Sequence, residues 1–395
     1  MSWSDGNLLL VSGRSVDNGS WMDCGVLGVT TIAGVGANET KLWGLTAAER
    51  LGRIVRAQGL TPADPREAAI LANLAHVWDP SWLRFVAERP GHVITFGGVP
   101  VLAHCTEPGE RARIAEAMAA NRPLEPDAGL TIVAQEQSDG LTNDELRKRE
   151  RPFMDRLVPG TVRSLERASY FGAYKGVTDI LTKYLWPEWA LVLTRIAARF
   201  GITPNMVTAV GAALCVAATI LFYYGWFWSG LAAGLVFMVL DTVDGKLARC
   251  TITSSWWGNV FDHGIDLVHP PFWWYAWGVG LHAYGRPLSD ELFYAVMVVI
   301  VGGYVLQRLI EGAFIKQFGM HIHVWEHFDS WFRLITARRN PNMVILLAGL
   351  VVGWPDWGLV AVAGWTLISL MVHFVRLAQA WGVRAKGKPV VSWLG

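Results

Sequence analysis

Along the second half of the chain, charged positions withdraw into short islands between long apolar stretches. Residues 201–240 contain no Asp, Glu, Lys or Arg, enough for two membrane spans of about 20 residues each with a turn near Gly225. Uncharged runs at 267–285, 292–307, 340–355 and 357–375 supply four more, so the pattern predicts six transmembrane helices. The first 155 residues read differently: short β-rich runs at 8–11, 26–33, 92–96 and 130–134 alternate with helical patterns, as in a soluble α/β domain. Within it, Thr46 and Glu49 form a T-x-x-E capping box that opens a helix running through Arg56 and ending at Gly59. Residues 186–200 set Trp189, Leu191, Leu193, Ile196 and Phe200 against Arg195 and Arg199, the pattern of an amphipathic helix lying in a membrane interface. The organisation expected is a soluble α/β domain at 1–155, a linker with an interfacial helix at 156–200, a six-helix membrane bundle at 201–382 and a tail at 383–395.

The distribution of charge adds orientation. Arg195 and Arg199 precede the first span, Arg333, Arg338 and Arg339 lie between the fourth and fifth, and Arg384, Lys386 and Lys388 follow the sixth, whereas the opposite side carries Arg286 alone. This bias predicts both termini in the cytosol. The location expected is the inner or cell membrane of a bacterium or archaeon. The 21 Trp gather near helix ends, as at Trp226, Trp228, Trp354 and Trp357, like interfacial belts. A net charge of +1 excludes a strongly basic nucleic-acid binder. No basic start with an apolar core suggests a secretory signal, and Cys24, Cys105, Cys215 and Cys250 show no metal-ligand spacing.

Four aspartates inside or beside these apolar stretches carry the chemistry. A carboxylate in a bilayer helix costs roughly 2.5–3.5 kcal/mol on insertion scales, so Asp241, Asp244, Asp262 and Asp266 together require compensation. Asp241 and Asp244 are spaced i,i+3 and Asp262 and Asp266 i,i+4, so each pair projects from one helix face, and a tight turn would bring all four together. An all-oxygen cluster favours a hard cation, Mg²⁺ or Mn²⁺, and two such ions can neutralise a pyrophosphate. Between the pairs, Gly245, Ala248 and Gly258 leave room for a ligand and Arg249 supplies a positive fork for phosphate. A rival reading, a transporter or channel whose acids line a cation pathway, has no need of that Gly-x-x-Ala-Arg insert.

The spacing Asp241-x-x-Asp244-Gly245-x-x-Ala248-Arg249, eight residues, Gly258-x-x-x-Asp262-x-x-x-Asp266 resembles in full the signature of the CDP-alcohol phosphotransferase family. The resemblance covers residues 175–382 and includes Thr203-Pro-Asn-x-x-Thr208 at the start of the first span. It implies a six-helix bundle, often a homodimer, in which a phosphoalcohol moves from a CDP-linked donor to an acceptor hydroxyl with release of CMP. By that resemblance Asp241, Asp244, Asp262 and Asp266 would hold two metal ions, Asp266 would also serve as general base, and Asn205, Gly245, Ala248, Arg249 and Gly258 would line the CDP site. The acceptor would be an inositol phosphate or a lipid alcohol. Arg308, Lys316, Arg338 and Arg339 are the basic residues suited to an acceptor phosphate, with Lys175 and Lys183 as weaker alternatives.

Residues 33–50 loosely resemble the opening of sugar-phosphate nucleotidyltransferases, where a Gly-rich loop cradles nucleotide phosphates. Here the loop is short, the Arg after the glycines is absent, Lys41 lacks its preceding Pro and no metal-binding Asp stands on the strand near 92–96, so a degenerate, scaffold-like domain is expected. The fusion resembles bifunctional inositol-phosphate cytidylyltransferase and di-inositol-phosphate phosphate synthase proteins. Three further features stay open: the run 147–151 as a contact for anionic lipid, His321, His323 and His327 with Glu326 and Asp329 as a second metal site, and Gly230 and Gly234 as a dimer contact or internal packing.

Overall fold

The computed structural model describes residues 30–125, 129–137, 141–143 and 146–394. The strand expected at 8–11 lies outside them, and the one expected at 26–33 is described only from residue 30. The α/β domain contains strands β1 (Thr31–Val35), β2 (Thr61–Pro62), β3 (Ile70–Asn73), β4 (His76–Trp78), β5 (His92–Phe96), β6 (Val99–His104), β7 (Thr131–Ala134), β8 (Leu141–Asn143), β9 (Lys148–Glu150) and β10 (Met154–Arg156). Six of them form one mixed sheet in the order β2-β1-β3-β6-β5-β7, with β6 antiparallel to both neighbours and the remaining pairings parallel. Its pleat sorts side chains by parity. Ile32, Ile70, Ile94 and Leu102 pack with helices α1 (Ala47–Ala57) and α2 (Pro80–Ala87), while Ala33, Leu71, Val93 and Ala103 pack with α3 (Pro108–Ala119) on the other face. The expected capping box is present: Thr46 Oγ1 accepts from Glu49 N at 3.2 Å, and Glu49 Oε2 accepts from Thr46 N at 2.8 Å.

The remaining chain is helical: α4 (Val162–Gly172), α5 (Pro187–Arg199), α6 (Pro204–Tyr223), α7 (Phe227–Thr251), α8 (Trp256–Tyr284), α9 (Asp290–Phe318), α10 (His327–Phe332), α11 (Arg339–Val351) and α12 (Pro355–Ala385). Among the described residues three helices, α6, α9 and α12, are long and apolar enough to cross a membrane. Helices α7 and α8 have 25 and 29 residues but carry the acids, and α11 has 13, about 20 Å of helix against a hydrocarbon core of about 30 Å. Helix α5 turns Trp189, Val192, Leu193 and Ile196 outward, but buries Leu191, expected on that same face, together with Ala190, Thr194 and Ala197.

Both ends of the bundle are defined by contacts between turns. At one end Arg286 donates to Gly353 O at 2.5 Å and pairs with Asp356 at 3.1 Å, beside the exposed indoles of Trp354 and Trp357. At the other, the α/β domain docks on α7. Leu42, Trp43, Ala47 and Val77 share one apolar cluster with Val243, Leu247 and Cys250, and Arg50 and Arg53 of α1 donate to Cys250 O (3.2 Å) and Thr251 O (2.7 Å). Two guanidinium groups thus satisfy carbonyls that the end of α7 leaves open and meet the negative end of its dipole. Pro271 removes the N–H that would have bonded Leu267 O, and Tyr304 Oη donates to that carbonyl at 2.9 Å, so α8 runs unbroken past Pro270 and Pro271.

Gly230 and Gly234 serve packing within the chain. A Cβ on Gly230 would lie 2.5 Å from the ring of Phe222, itself fully buried, and one on Gly234 would meet Trp273 at 3.1 Å. Gly230→Ala is therefore expected to cost about 1–3 kcal/mol by overpacking. Thermal unfolding in detergent should show a lower midpoint with an unchanged oligomeric mass; a changed mass at constant midpoint would return Gly230 to a dimer contact.

Candidate active site

The acids meet where α7 ends and α8 begins. Ile252 closes α7 in a left-handed conformation (φ 53°), and Ser255 caps α8 by accepting from Gly258 N at 3.1 Å, so four residues reverse the chain. Carboxylate oxygens of Asp241, Asp262 and Asp266 then lie within 4.8 Å of one another. Asp244 sits deeper, 4% exposed, with Oδ2 accepting from Thr208 Oγ1 at 2.6 Å and Oδ1 from Gly245 N at 2.5 Å. Thr208 reaches it from α6, within the Thr203-Pro-Asn-x-x-Thr208 stretch.

One arginine bonds two of these acids at once. Arg339, at the first turn of α11, donates from Nη1 to Asp266 Oδ1 at 2.6 Å and from Nη2 to Asp241 Oδ2 at 2.7 Å. Its neighbour Asn340 donates to Asp179 Oδ1 at 2.9 Å, tying α11 to the segment after α4. Burial alone would push the Asp179 carboxyl up, but Arg333 and the hydrogen bonds from Thr182 and Asn340 hold it below the ordinary carboxylate range. Converging oxygen donors with no nitrogen or sulfur fit a hard divalent cation such as Mg²⁺ or Mn²⁺, and Arg339 occupies the electrostatic role such an ion would take.

A cavity of about 440 Å³ opens beside the acids. Asn205, Gly245, Ala248, Arg249 and Gly258 line it, as do all four aspartates. The absence of side chains matters here. A Cβ at Gly245 would meet Arg249 Nη2 at 3.1 Å, and one at Gly258 would meet Asn205 Oδ1 at 3.2 Å, so the glycines let both polar groups approach the helix surface. Arg308, Arg338 and Arg339 line the cavity too, whereas Lys316 is exposed and does not. Eight residues beyond Arg308, Lys316 is carried about 12 Å further along α9, past the cavity. Lys175 lines the cavity and Lys183 does not.

The cavity also takes in residues not expected there, among them Arg147 from the β8–β9 hairpin, Arg333 before α11, and Tyr304 on α9. The histidines also fall differently from expectation. His323 and His373 pair with Glu311 at 3.2 and 3.3 Å, and the same carboxylate takes Arg338 Nη2 at 2.6 Å and Arg308 at 3.1 Å, while Glu326 and Asp329 bind Arg376. Glu311 is thus the anchor of a buried ion-pair knot that aims two arginines at the cavity. His321 and His327 stand outside it.

Residues 201–375 match the sequence model of the CDP-alcohol phosphatidyltransferase family. That match spans the helical bundle from α6 into α12 and leaves out the α/β domain. Its curated relatives include a phosphatidylinositol phosphate synthase of Mycobacteroides abscessus, 29% identical over 221 residues, which cover 51% of this chain and 89% of that protein. Cholinephosphotransferase 1 of Gallus gallus is 31% identical over 127 residues, 29% of this chain and 36% of that protein. Cholinephosphotransferase 1 of Danio rerio is 37% identical over 82 residues, 18% of this chain, and the matched part spans 22% of that relative's length. A solved phosphatidylinositol phosphate synthase of Mycobacterium tuberculosis with CDP-DAG bound is 20% identical, with a TM-score of 0.38, covering 48% of this chain and 92% of that one.

Removing Arg339 leaves Asp241 and Asp266 without their counter-charge. Arg339→Ala should lower the melting temperature in EDTA more than in Mg²⁺, because an ion binding only the folded protein stabilises it by about 2.7 kcal/mol at a hundredfold its dissociation constant. Equal losses with and without the ion would show that the acids do not bind it.

Proposed function

We propose that the chain is a membrane-embedded CDP-alcohol phosphotransferase that moves a phosphoalcohol from a CDP-linked donor to the hydroxyl of an alcohol phosphate, releasing CMP. One observation carries this reading. A triad of carboxylates within 4.8 Å lines one cavity together with a set of basic side chains, Arg308 and Arg338, that pair with Glu311 and not with those acids. The acids suit a diphosphate bound through cations; the basic set suits a separate anionic group.

Divalent cations held by Asp241, Asp244, Asp262 and Asp266 would supply neutralisation of the donor's diphosphate. Arg249, lying over Gly245, and Asn205, lying against Gly258, orient the cytidine diphosphate at the α7–α8 turn. Arg308 and Arg338, held by Glu311, receive the acceptor's phosphate and so present its hydroxyl toward Asp266. Asp266 has the most accessible side chain of the two acids bound by Arg339, 44% against 17% for Asp241, which favours it as the base. As the acceptor oxygen bonds to phosphorus, its proton passes to an Asp266 carboxylate oxygen and the bond from phosphorus to CMP breaks. In this reading α6, α7, α8, α9, α11 and α12 make up the membrane bundle, the short α11 being completed by its flanking segments, and the site faces the cytosol with both termini. Retained glycine turns without the nucleotidyltransferase side chains make the α/β domain a docking scaffold.

Two measurements test this. Purified protein incubated with CDP-diacylglycerol or CDP-inositol, inositol phosphate or neutral alcohols, and Mg²⁺ or Mn²⁺ should release CMP and yield a product of the combined mass; Asp266→Asn should lower kcat by about 10²–10⁴-fold. No CMP from any pair, or an unaffected variant, would sink the mechanism. Burial, with Arg147 and Arg249, pushes the Lys175 ammonium down to about 8 against the opposing pull of Asp262 and Asp266. Lys175 is thus charged below that pH and neutral above it, so KM for the alcohol phosphate should rise as pH passes about 8, and Lys175→Arg should flatten the profile.

A further inference from the structure

Arg147 belongs to the segment preceding the bundle, yet its side chain lines the bundle's cavity. Its placement is secured on both sides. Leu146, 4% exposed, accepts from Gly176 N at 2.7 Å, and Lys148 Nζ donates to Gly172 O at 2.5 Å. Gly176 has no room for a side chain: a Cβ there would lie 2.5 Å from Arg147 O and 2.8 Å from Lys148 Cβ. Arg147 itself adopts φ 52°, a left-handed conformation that disfavours an arginine and is imposed by this docking. The expected contact of residues 147–151 with lipid therefore fails at its first two positions, which turn inward.

At the cavity the Arg147 guanidinium makes no hydrogen bond or ion pair with the described residues. Arg333 is in the same condition on the same wall: it is 8% exposed, and its Nε and Nη1 have no partner among the described residues. Two guanidinium groups that line one cavity with donors unspent among the described residues suit an anion entering that space. Arg147 feels the charges of Arg338 and Glu311, and Arg338 lines the same cavity with its guanidinium held by Glu311.

Building on the transferase reading, we propose that Arg147 recognises the phosphomonoester of a small acceptor alcohol, so that the α/β domain completes a site the membrane bundle only partly forms. The domain is then a specificity element: without it the acceptor wall lacks one of its cations.

The test uses the full chain in lipid nanodiscs with Mg²⁺, titrated calorimetrically with inositol monophosphate, glycerol monophosphate, uncharged inositol and CDP. Arg147→Asn suits the purpose, because asparagine accepts positive φ and preserves the hairpin, and Arg147→Lys restores the charge. Arg147→Asn should weaken binding of the alcohol phosphates about tenfold or more, with Arg147→Lys recovering part of it and CDP affinity unchanged. Gly176→Ala, which drives a methyl into the Arg147 carbonyl, should give the same selective loss. Unchanged alcohol-phosphate affinity in Arg147→Asn overturns the proposal, and so does an equal loss of CDP affinity, which would assign Arg147 to the donor. Wild-type protein that binds no alcohol phosphate but releases CMP with a neutral alcohol overturns it too, while leaving the transferase reading intact. Arg147-dependent phosphate binding without CMP release under any condition would support the recognition site and reject the transferase.

Discussion

Everything in the bundle depends on cancelling the charge of four carboxylates that two apolar helices bring to one point. Asp241, Asp262 and Asp266 converge within 4.8 Å, a distance at which like charges strongly raise the energy of the folded state unless a cation stands between them. Arg339 stands there, with bonds of 2.6 and 2.7 Å to two of the three. Its position is inherited from Asn340 and Asp179, and Asp179 lies in the segment that links the α/β domain to the membrane helices. The electrostatic balance of the site therefore reaches beyond the bundle into its connection.

That connection explains why an appended sheet domain is held so firmly. Arg50 and Arg53 close the carbonyl end of α7, the helix that carries Asp241 and Asp244, and Lys246 of the same helix donates to Ala173 O at 2.8 Å while its ammonium sits 3.3 Å from the centre of the Tyr174 ring. The apolar seam of Trp43, Val77, Leu247 and Cys250 excludes water from these bonds. A helix fixed at its end by a neighbouring domain keeps its acids in register with α8, and the hairpin carrying Arg147 is set by the same linker.

Much of the fold was legible before the structure. The capping box at Thr46 and Glu49, the turn at Gly225, the strand at 92–96 and the two-sided helix at 187–199 all rest on local rules that act over a few residues. So did the acids, since helical spacing at 241/244 and 262/266 with a short reversal leaves little freedom. Membrane spans were less legible, because α7 and α8 trade apolarity for function and α11 is shortened by the polar segment before it. Lys316 was misplaced for a simple reason: a basic residue near a helix end satisfies the same sequence pattern whether or not the helix carries it past the cavity.

By itself, the sequence determined the chemistry: which residues are acidic, their periodicity along two helices, the small residues between them and the family to which residues 201–375 correspond. These are properties of neighbours in the chain, and helical geometry converts them directly into a face. Tertiary structure alone decided what opposes that face. Arg339 lies 98 residues from Asp241, Thr208 lies 36 residues from Asp244, and Arg147 enters from a different domain. Such pairings follow from how helices and sheet pack, and no local pattern records them.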